Sequence, residues 1–258
     1  MRQDISYVVI DTLNYELSVH ALARSLEQFP LENILIFSDN PGRWAGHGII
    51  KIPEIRSTED YNRVIFFELP KYLKTEFAIF IQYDGFVLHG NNFSESFLSY
   101  DYIGASWPHH EVFDVGNGGF SLRSYKLIRA VQEFILPNDL KLPEDVVICR
   151  HLRTRLEDAL KLKYAPKQVA DDFAYEMRRT QKSTFGFHGI FHLPNVMQND
   201  LKILFDNLSP RSVVRLFRAF SNACEVLPDK QRELFYEYVR TNSADLLRCA
   251  EANLTNAK

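Results

Sequence analysis

Two periodicities alternate along the first third of the chain. Ile5 to Ile10 is rich in β-branched residues and predicts a first strand, ending at Asp11 and Thr12. Leu17, Ala21, Leu22, Leu26 and Phe29 recur at helical spacing, so Tyr15 to Phe29 predicts a helix. A second strand is expected over Asn33 to Phe37, closed by the turn-forming run Ser38-Asp39-Asn40-Pro41-Gly42, and a third over Gly48 to Ile52. Tyr61, Val64, Ile65 and Leu69 share one side of a helix predicted over Asp60 to Leu73, with Pro70 near its end. The apolar run Phe77-Ala78-Ile79-Phe80-Ile81 then predicts a buried strand that runs out to Asp84, with Gly85 directly after it. Strand and helix in alternation imply an α/β fold, a mainly parallel sheet with helices on both faces.

The middle of the chain, Tyr100 to His192, is loop-rich and holds most of the glycines and histidines. Short strands are expected at Tyr102-Ile103-Gly104-Ala105 and at Gly119-Phe120-Ser121-Leu122, and a helix over Ser124 to Phe134. Pro143 suits the first turn of another helix, with Glu144 and Asp145 beside it and Val147, Ile148 and Leu152 as its apolar positions. From Pro194 the character changes, and glycine is absent from Ile190 onward. Amphipathic segments at Val213 to Leu227, Asp229 to Val239 and Ser243 to Leu254 predict an all-helical C-terminal appendage. The expected division is therefore 1–193 and 194–258. The appendage reads either as a helical cap on the α/β body or as a surface for self-association or a partner.

Composition narrows the function classes. Apolar residues make up 46% and aromatics 13% of 258 residues, enough for a sizeable core and too many for a disordered chain. The 30 basic and 33 acidic side chains give a net charge of −3 with no basic stripe, so nucleic acid is not an expected partner. Three scattered cysteines, Cys149, Cys224 and Cys249, suit a reducing compartment and read as small buried residues. No secretory n-region, h-region or cleavage site opens the chain, and no run approaches a membrane span, so a cytoplasmic location is expected.

Four polar clusters carry the candidate chemistry. Open α/β sheets bind ligands outside the carboxyl ends of their strands, where Asp84 is expected to lie. A carboxylate there can cap a turn, or it can hold a divalent ion whose shell is completed by phosphates and water. In Gly116-Asn117-Gly118-Gly119, the glycines let backbone approach a ligand closely. No Lys-Ser/Thr pair follows, which excludes a P-loop. Ser121 and Arg123 alternate with Phe120 and Leu122, as on a strand with one wet face. Glu144 and Asp145 either complement a helix dipole or supply a general base for a hydroxyl nucleophile. His188 lies between glycines in Phe185-Gly186-Phe187-His188-Gly189, as an ordinary loop histidine or as a ligand for an ion such as Mn²⁺.

Taken in order, Gln82-Tyr83-Asp84-Gly85, Asp101-Tyr102-Ile103-Gly104-Ala105-Ser106-Trp107-Pro108, Val115 through Ser124, Glu144-Asp145 and Phe185 through Gly189 resemble a metal-dependent nucleotide-sugar glycosyltransferase of the GT-A type. More narrowly, they resemble a poorly characterised bacterial glycosyltransferase family. The resemblance covers about residues 5 to 192 and does not reach the C-terminal helices.

The resemblance implies a Rossmann-like GT-A fold and transfer of a hexose or N-acetylhexosamine from a UDP-sugar to a glycan or other hydroxyl-bearing acceptor, with inversion. It implies Mn²⁺ or Mg²⁺ held by Asp84 and His188, with Asp145 as the base. Asp84 matches the last aspartate of the Asp-x-Asp metal motif, whose first position is Gln82 here, an uncharged residue able to hydrogen-bond ribose or sugar. Gly118 and Gly119 match the glycine loop beside donor and acceptor. Thr12 and Asp39 match positions that contact the nucleoside. Tyr102 and Trp107 are expected to stack on sugar faces, Glu144 to stand beside the acceptor, and Arg123 to steady a phosphate or the acceptor. The alternatives are a non-catalytic nucleotide-sugar-binding relative, a nucleotidyltransferase, or a scaffold subunit.

Overall fold

The structure, a computed structural model, describes residues 2–44, 46–108, 110–176, 182–197 and 200–207. The three helices expected between Val213 and Leu254 lie outside the described residues. The chain divides into two compact units, Met1–His188 and Gly189–Lys258.

The first unit begins β1 (Arg2–Ile10), α1 (Tyr15–Gln28), β2 (Leu31–Ser38) and β3 (Ile50–Lys51). Next comes α2 (Thr58–Arg63), which runs through a π-helical turn (Val64–Glu68) into α3 (Leu69–Tyr72) and then β4 (Phe77–Ile81). The helix expected over Asp60 to Leu73 is therefore a composite. Pro70 has no N–H to give to the helix, and the wide turn directly before it absorbs that mismatch. After β4 come β5 (Tyr102–Ile103), β6 (Ser121–Ser124) and α4 (Tyr125–Phe134). The unit continues with α5 (Glu144–Val146), a second π-helical turn (Val147–His151), α6 (Arg153–Leu160), α7 (Lys167–Phe173), β7 (Ala174–Tyr175) and β8 (Gly186–Phe187). The second unit contains two short helices among its described residues, α8 (Leu193–Val196) and α9 (Leu201–Asn207).

Six strands form one sheet in the order β3-β2-β1-β4-β6-β5. The pairs β1/β2, β1/β4 and β2/β3 are parallel, while β6 runs antiparallel to both its neighbours. Ile5 to Ile10 and Ala78 to Ile81 are buried throughout, as expected of strands covered on both faces. Alternate residues settle which helix covers which face. Val8, Ile10, Ala78 and Phe80 join a core with Val64, Leu69, Leu127 and Ile148, on the side of α2 to α6. Tyr7 faces the other way and donates its hydroxyl to the Phe29 carbonyl at the end of α1, 2.7 Å away. Full burial of a side chain such as Ile79 stabilises by about 1.5–3 kcal/mol.

The antiparallel strand positions the site. Phe80 near the end of β4 pairs with Ser121 at the start of β6. The loop that precedes β6, residues 116–120, therefore arrives at the carboxyl end of β4. Val87, just past that end, bridges to Gly186 of β8, and so His188 is delivered to the same edge.

Candidate active site

β4 stops at Ile81 rather than Asp84. Gln82 and Gly85 close a tight turn, with Gln82 N donating to Gly85 O (3.0 Å) and Gly85 N donating to Gln82 O (2.9 Å). Asp84 sits inside this turn and is only 1% exposed. His188 Nε2 lies 3.5 Å from Asp84 Oδ1. On the far side of the ring, Nδ1 is 3.1 Å from Glu176 Oε1. Burial works against the imidazolium, but the Asp84 and Glu176 carboxylates outweigh it and push the His188 pKa up to about 10. Asp84 also raises the pKa of buried Asp11, secondary to desolvation. The carboxyl ends of β1 and β4 thus share one electrostatic environment.

The glycine loop is moulded onto these groups. Asn117 adopts a positive φ of 65°, a conformation asparagine tolerates better than most residues. Its Oδ1 accepts from Gly119 N (3.2 Å), its amide nitrogen lies 2.9 Å from His188 Nδ1, and its carbonyl accepts from the Tyr102 hydroxyl (2.9 Å). A Cβ on Gly119 would stand 2.0 Å from His188 Nε2 and 2.7 Å from Gln82 Oε1. A Cβ on Gly118 would stand 1.6 Å from Glu144 Oε1. Only glycine fits either position.

Asp145, in the first turn of α5, accepts from Gly118 N through Oδ2 (3.2 Å) and from Val146 N through Oδ1 (2.8 Å). Burial first, and the neighbouring Glu144 charge second, push its pKa up to about 6. The amides and Arg123 pull the other way. A half-buried carboxylate tuned to that range suits a general base near neutral pH.

Asp84, Gly118, Gly119, Asp145, His188 and Gln82 thus meet at one end of the sheet. Gln82 donates its amide to the Tyr61 hydroxyl, 2.9 Å away. Thr12 and Asp39 lie at the carboxyl ends of β1 and β2 and are joined through Tyr15, whose hydroxyl is 2.7 Å from Asp39 Oδ1 and 3.1 Å from Thr12 O. The Thr12 hydroxyl accepts from Ile55 N (2.9 Å), which ties down the segment after β3.

Four expected contacts are not available to a ligand. Tyr102 is fully buried, with its hydroxyl on Asn117 O and its ring on Tyr164. Trp107 is 7% exposed and its indole packs directly on Gly116. Neither offers a face for a sugar. Arg123 is fully buried and ion-paired to Glu144, Nη2 to Oε1 at 2.7 Å. That pairing consumes both the cation expected to steady a phosphate and the acid expected beside the acceptor. The wet face expected on β6 is covered, since all four of its residues are buried.

Asn117, Glu176 and Tyr61 are the site residues that sequence reasoning did not single out. The asparagine beside two glycines was the one available signal; Glu176 and Tyr61 carry none at the level of spacing.

Among the described residues no three His, Cys, Asp or Glu side chains gather to hold a metal ion. The donors at the turn are one buried carboxylate and one imidazole whose second nitrogen faces a carboxylate. This is the arrangement in which an outer acid orients a metal-bound histidine. A divalent cation there would have to displace the His188 proton, and phosphate oxygens and water would have to complete its shell. None of the described helices is long and apolar enough to cross a membrane.

A family model described as "Protein of unknown function (DUF5672)" matches residues 50–188. The chain belongs to that family. The DUF5672 match runs from β3 to His188 and includes Gln82, Asp84, the glycine loop, Asp145 and Glu176, but not Thr12 or Asp39. No curated protein matches the chain. Among solved structures, it is similar to a glycosyltransferase involved in the glycosylation of the major capsid of PBCV-1. That likeness has a TM-score of 0.47 and 11% identity, over 71% of this chain and 91% of that one. It is also similar to the bifunctional IspDF from Campylobacter jejuni, with a TM-score of 0.43 and 12% identity, over 63% of this chain and 49% of that one. The chain thus spans about half the length of that enzyme.

Proposed function

We propose that this protein is a metal-dependent glycosyltransferase that moves a hexose or N-acetylhexosamine from a UDP-sugar to an acceptor hydroxyl, with inversion, on a GT-A-type body. The observation that carries the reading is the meeting of Asp84, His188, the Gly118-Gly119 backbone and Asp145 at the carboxyl end of β4. These groups are remote in sequence, and each has a part in such a transfer.

Asp84 and His188 would hold Mn²⁺ or Mg²⁺, with Glu176 orienting the ring, and the bound ion supplies positive charge opposite the diphosphate leaving group. Gly118 and Gly119, without side chains, let a substrate approach the loop backbone. Asp145 takes the proton of the acceptor hydroxyl as that oxygen attacks the anomeric carbon from the face opposite the diphosphate. Its pKa, raised to about 6, makes it a stronger base while still leaving it mostly ionised at neutral pH. Gly118 N–H and Val146 N–H fix the plane of that carboxylate. Thr12 and Asp39, at the ends of β1 and β2, would contact the nucleoside.

The test is a panel of nucleotide sugars screened for thermal stabilisation with Mn²⁺ or Mg²⁺, followed by detection of released nucleoside diphosphate. A ligand at a hundredfold excess over Kd stabilises by about 2.7 kcal/mol. UDP-sugar binding that needs the metal, followed by UDP release, supports the proposal. Metal-independent binding without turnover would favour a non-catalytic binding protein, and pyrophosphate release from a nucleoside triphosphate a nucleotidyltransferase.

A further inference from the structure

Arg123 is a fully buried cation in the middle of a strand, and the reaction proposed above gives it nothing to touch. Burying a guanidinium is costly unless every face is matched. Its surroundings match Nη2, Nε and the flat face, while Nη1 is buried with no hydrogen-bond partner. Nη2 donates to Glu144 Oε1 (2.7 Å) and to the Gly118 carbonyl (3.1 Å). Nε donates to Ser121 Oγ (3.0 Å), and that hydroxyl donates in turn to the same Gly118 carbonyl (3.0 Å). The flat face of the guanidinium lies over the Phe80 ring, with Cζ 3.9 Å from the ring centroid.

The polar contacts converge on one residue of the glycine loop. Gly118 has its carbonyl held by Arg123 and Ser121, its Cα pressed against the Glu144 carboxylate, and its N–H on Asp145 Oδ2. We propose that Arg123 is a positioning residue for the general base: by tying Glu144 to the Gly118 carbonyl it holds the Gly118 amide against the Asp145 carboxylate. The inference rests on the reading of Asp145 as the base and assigns the residue that keeps it in place.

The electrostatics run in the same direction. Besides its own desolvation, Asp145 is raised by Glu144 beside it and lowered by Arg123 from β6. Tyr61 from α2, Tyr102 from β5 and Cys149 from the π-helical turn face it as weakly acidic neighbours, all shifted further from ionisation by burial. After desolvation, the charges of the Arg123–Glu144 pair and the Val146 and Gly118 amides set the balance on which the titration of Asp145 depends. Lysine cannot replace Arg123 in this role, because a single ammonium lacks the planar fork that serves a carboxylate, a carbonyl and a hydroxyl together.

The experiment follows Asp145 directly in the full chain, by ¹³C NMR of Asp-labelled protein with Asp145→Asn to assign its resonance, alongside the ¹H–¹⁵N signal of Gly118. Glu144→Gln is expected to lower the Asp145 midpoint by about one pH unit, and Arg123→Met to raise it by a smaller amount. Arg123→Lys keeps the charge, so it should leave the midpoint near that of the parent while displacing the Gly118 amide signal. The pH profile of UDP-sugar turnover should shift with the NMR midpoint in each variant that retains activity. If Arg123→Met does not fold, Arg123→Lys and Glu144→Gln decide the matter. An unmoved Asp145 midpoint in Glu144→Gln, together with an unmoved Gly118 signal in Arg123→Lys, would reduce the pair to core packing. Absence of turnover in the parent protein would instead sink the enzyme reading and leave the NMR result standing.

Discussion

Gly119→Ala adds one methyl group and tests the geometry of the site most directly. The new Cβ would stand 2.0 Å from His188 Nε2, 2.3 Å from its Cδ2 and 2.7 Å from Gln82 Oε1. Ordinary contact begins at 3.4 Å, so ring and loop must separate by about 1.4 Å. The ring has little freedom to yield, because Asp84 and Glu176 hold its two nitrogens at 3.5 and 3.1 Å. Overpacking of this kind costs about 1–3 kcal/mol of stability. Displacing an oriented metal ligand typically costs about 10–100-fold in metal affinity. The assay is the thermal shift produced by UDP with Mn²⁺, at a concentration one hundred times the parent's Kd. The parent gains about 2.7 kcal/mol, and a tenfold loss of affinity leaves about 1.4 kcal/mol. At roughly 2–4 °C per kcal/mol for a domain of this size, the difference is several degrees. Gly48→Ala is the control, since its Cβ would meet nothing within 4 Å. A Gly119→Ala protein that binds UDP and Mn²⁺ like the parent would refute the claim that loop, imidazole and Asp84 form one binding site.

Asp145→Asn should lower UDP release by about 10²- to 10⁴-fold with UDP affinity nearly unchanged, and a collapse of affinity would count against the base assignment. Because the base acts deprotonated and Asp145 titrates at about 6, kcat/KM of the parent should fall about tenfold for each pH unit below that value and level off above it. Asp84→Asn and His188→Gln should each abolish the difference in UDP affinity seen by calorimetry with and without Mn²⁺, and a parent protein that binds UDP equally with chelator present would overturn the metal assignment. Tyr102→Phe removes a buried hydrogen bond to Asn117 O and should cost about 1 kcal/mol by urea unfolding with no change in donor KM; a raised KM would return Tyr102 to the binding surface.

The sequence carried the parallel half of the sheet and the candidate carriers of chemistry to different depths, for a physical reason. Period and burial reveal an element and its faces, as in the continuous apolar runs of β1 and β4, because those strands are covered on both sides. They do not reveal which element does the covering. Ser121 and Arg123 alternate with apolar neighbours just as a half-exposed strand would, yet Glu144 arrives from α5, twenty-one residues later, to neutralise the arginine and exclude water. The same blindness misassigned Tyr102 and Trp107, whose size suits a sugar platform equally well until the 116–120 loop is seen packed on them. Asp84, Asp145 and His188 could be singled out as candidates because each lies beside glycine or at a helix start, where a packing role is least expected. Their mutual placement was not, because it depends on the reversal of β6, and nothing in a four-residue strand specifies its direction. The antiparallel β6 is therefore the decisive long-range feature: run parallel to β4, it would carry Gly118 and Gly119 to the opposite edge of the sheet, and Asp145 would lose the amide that orients it.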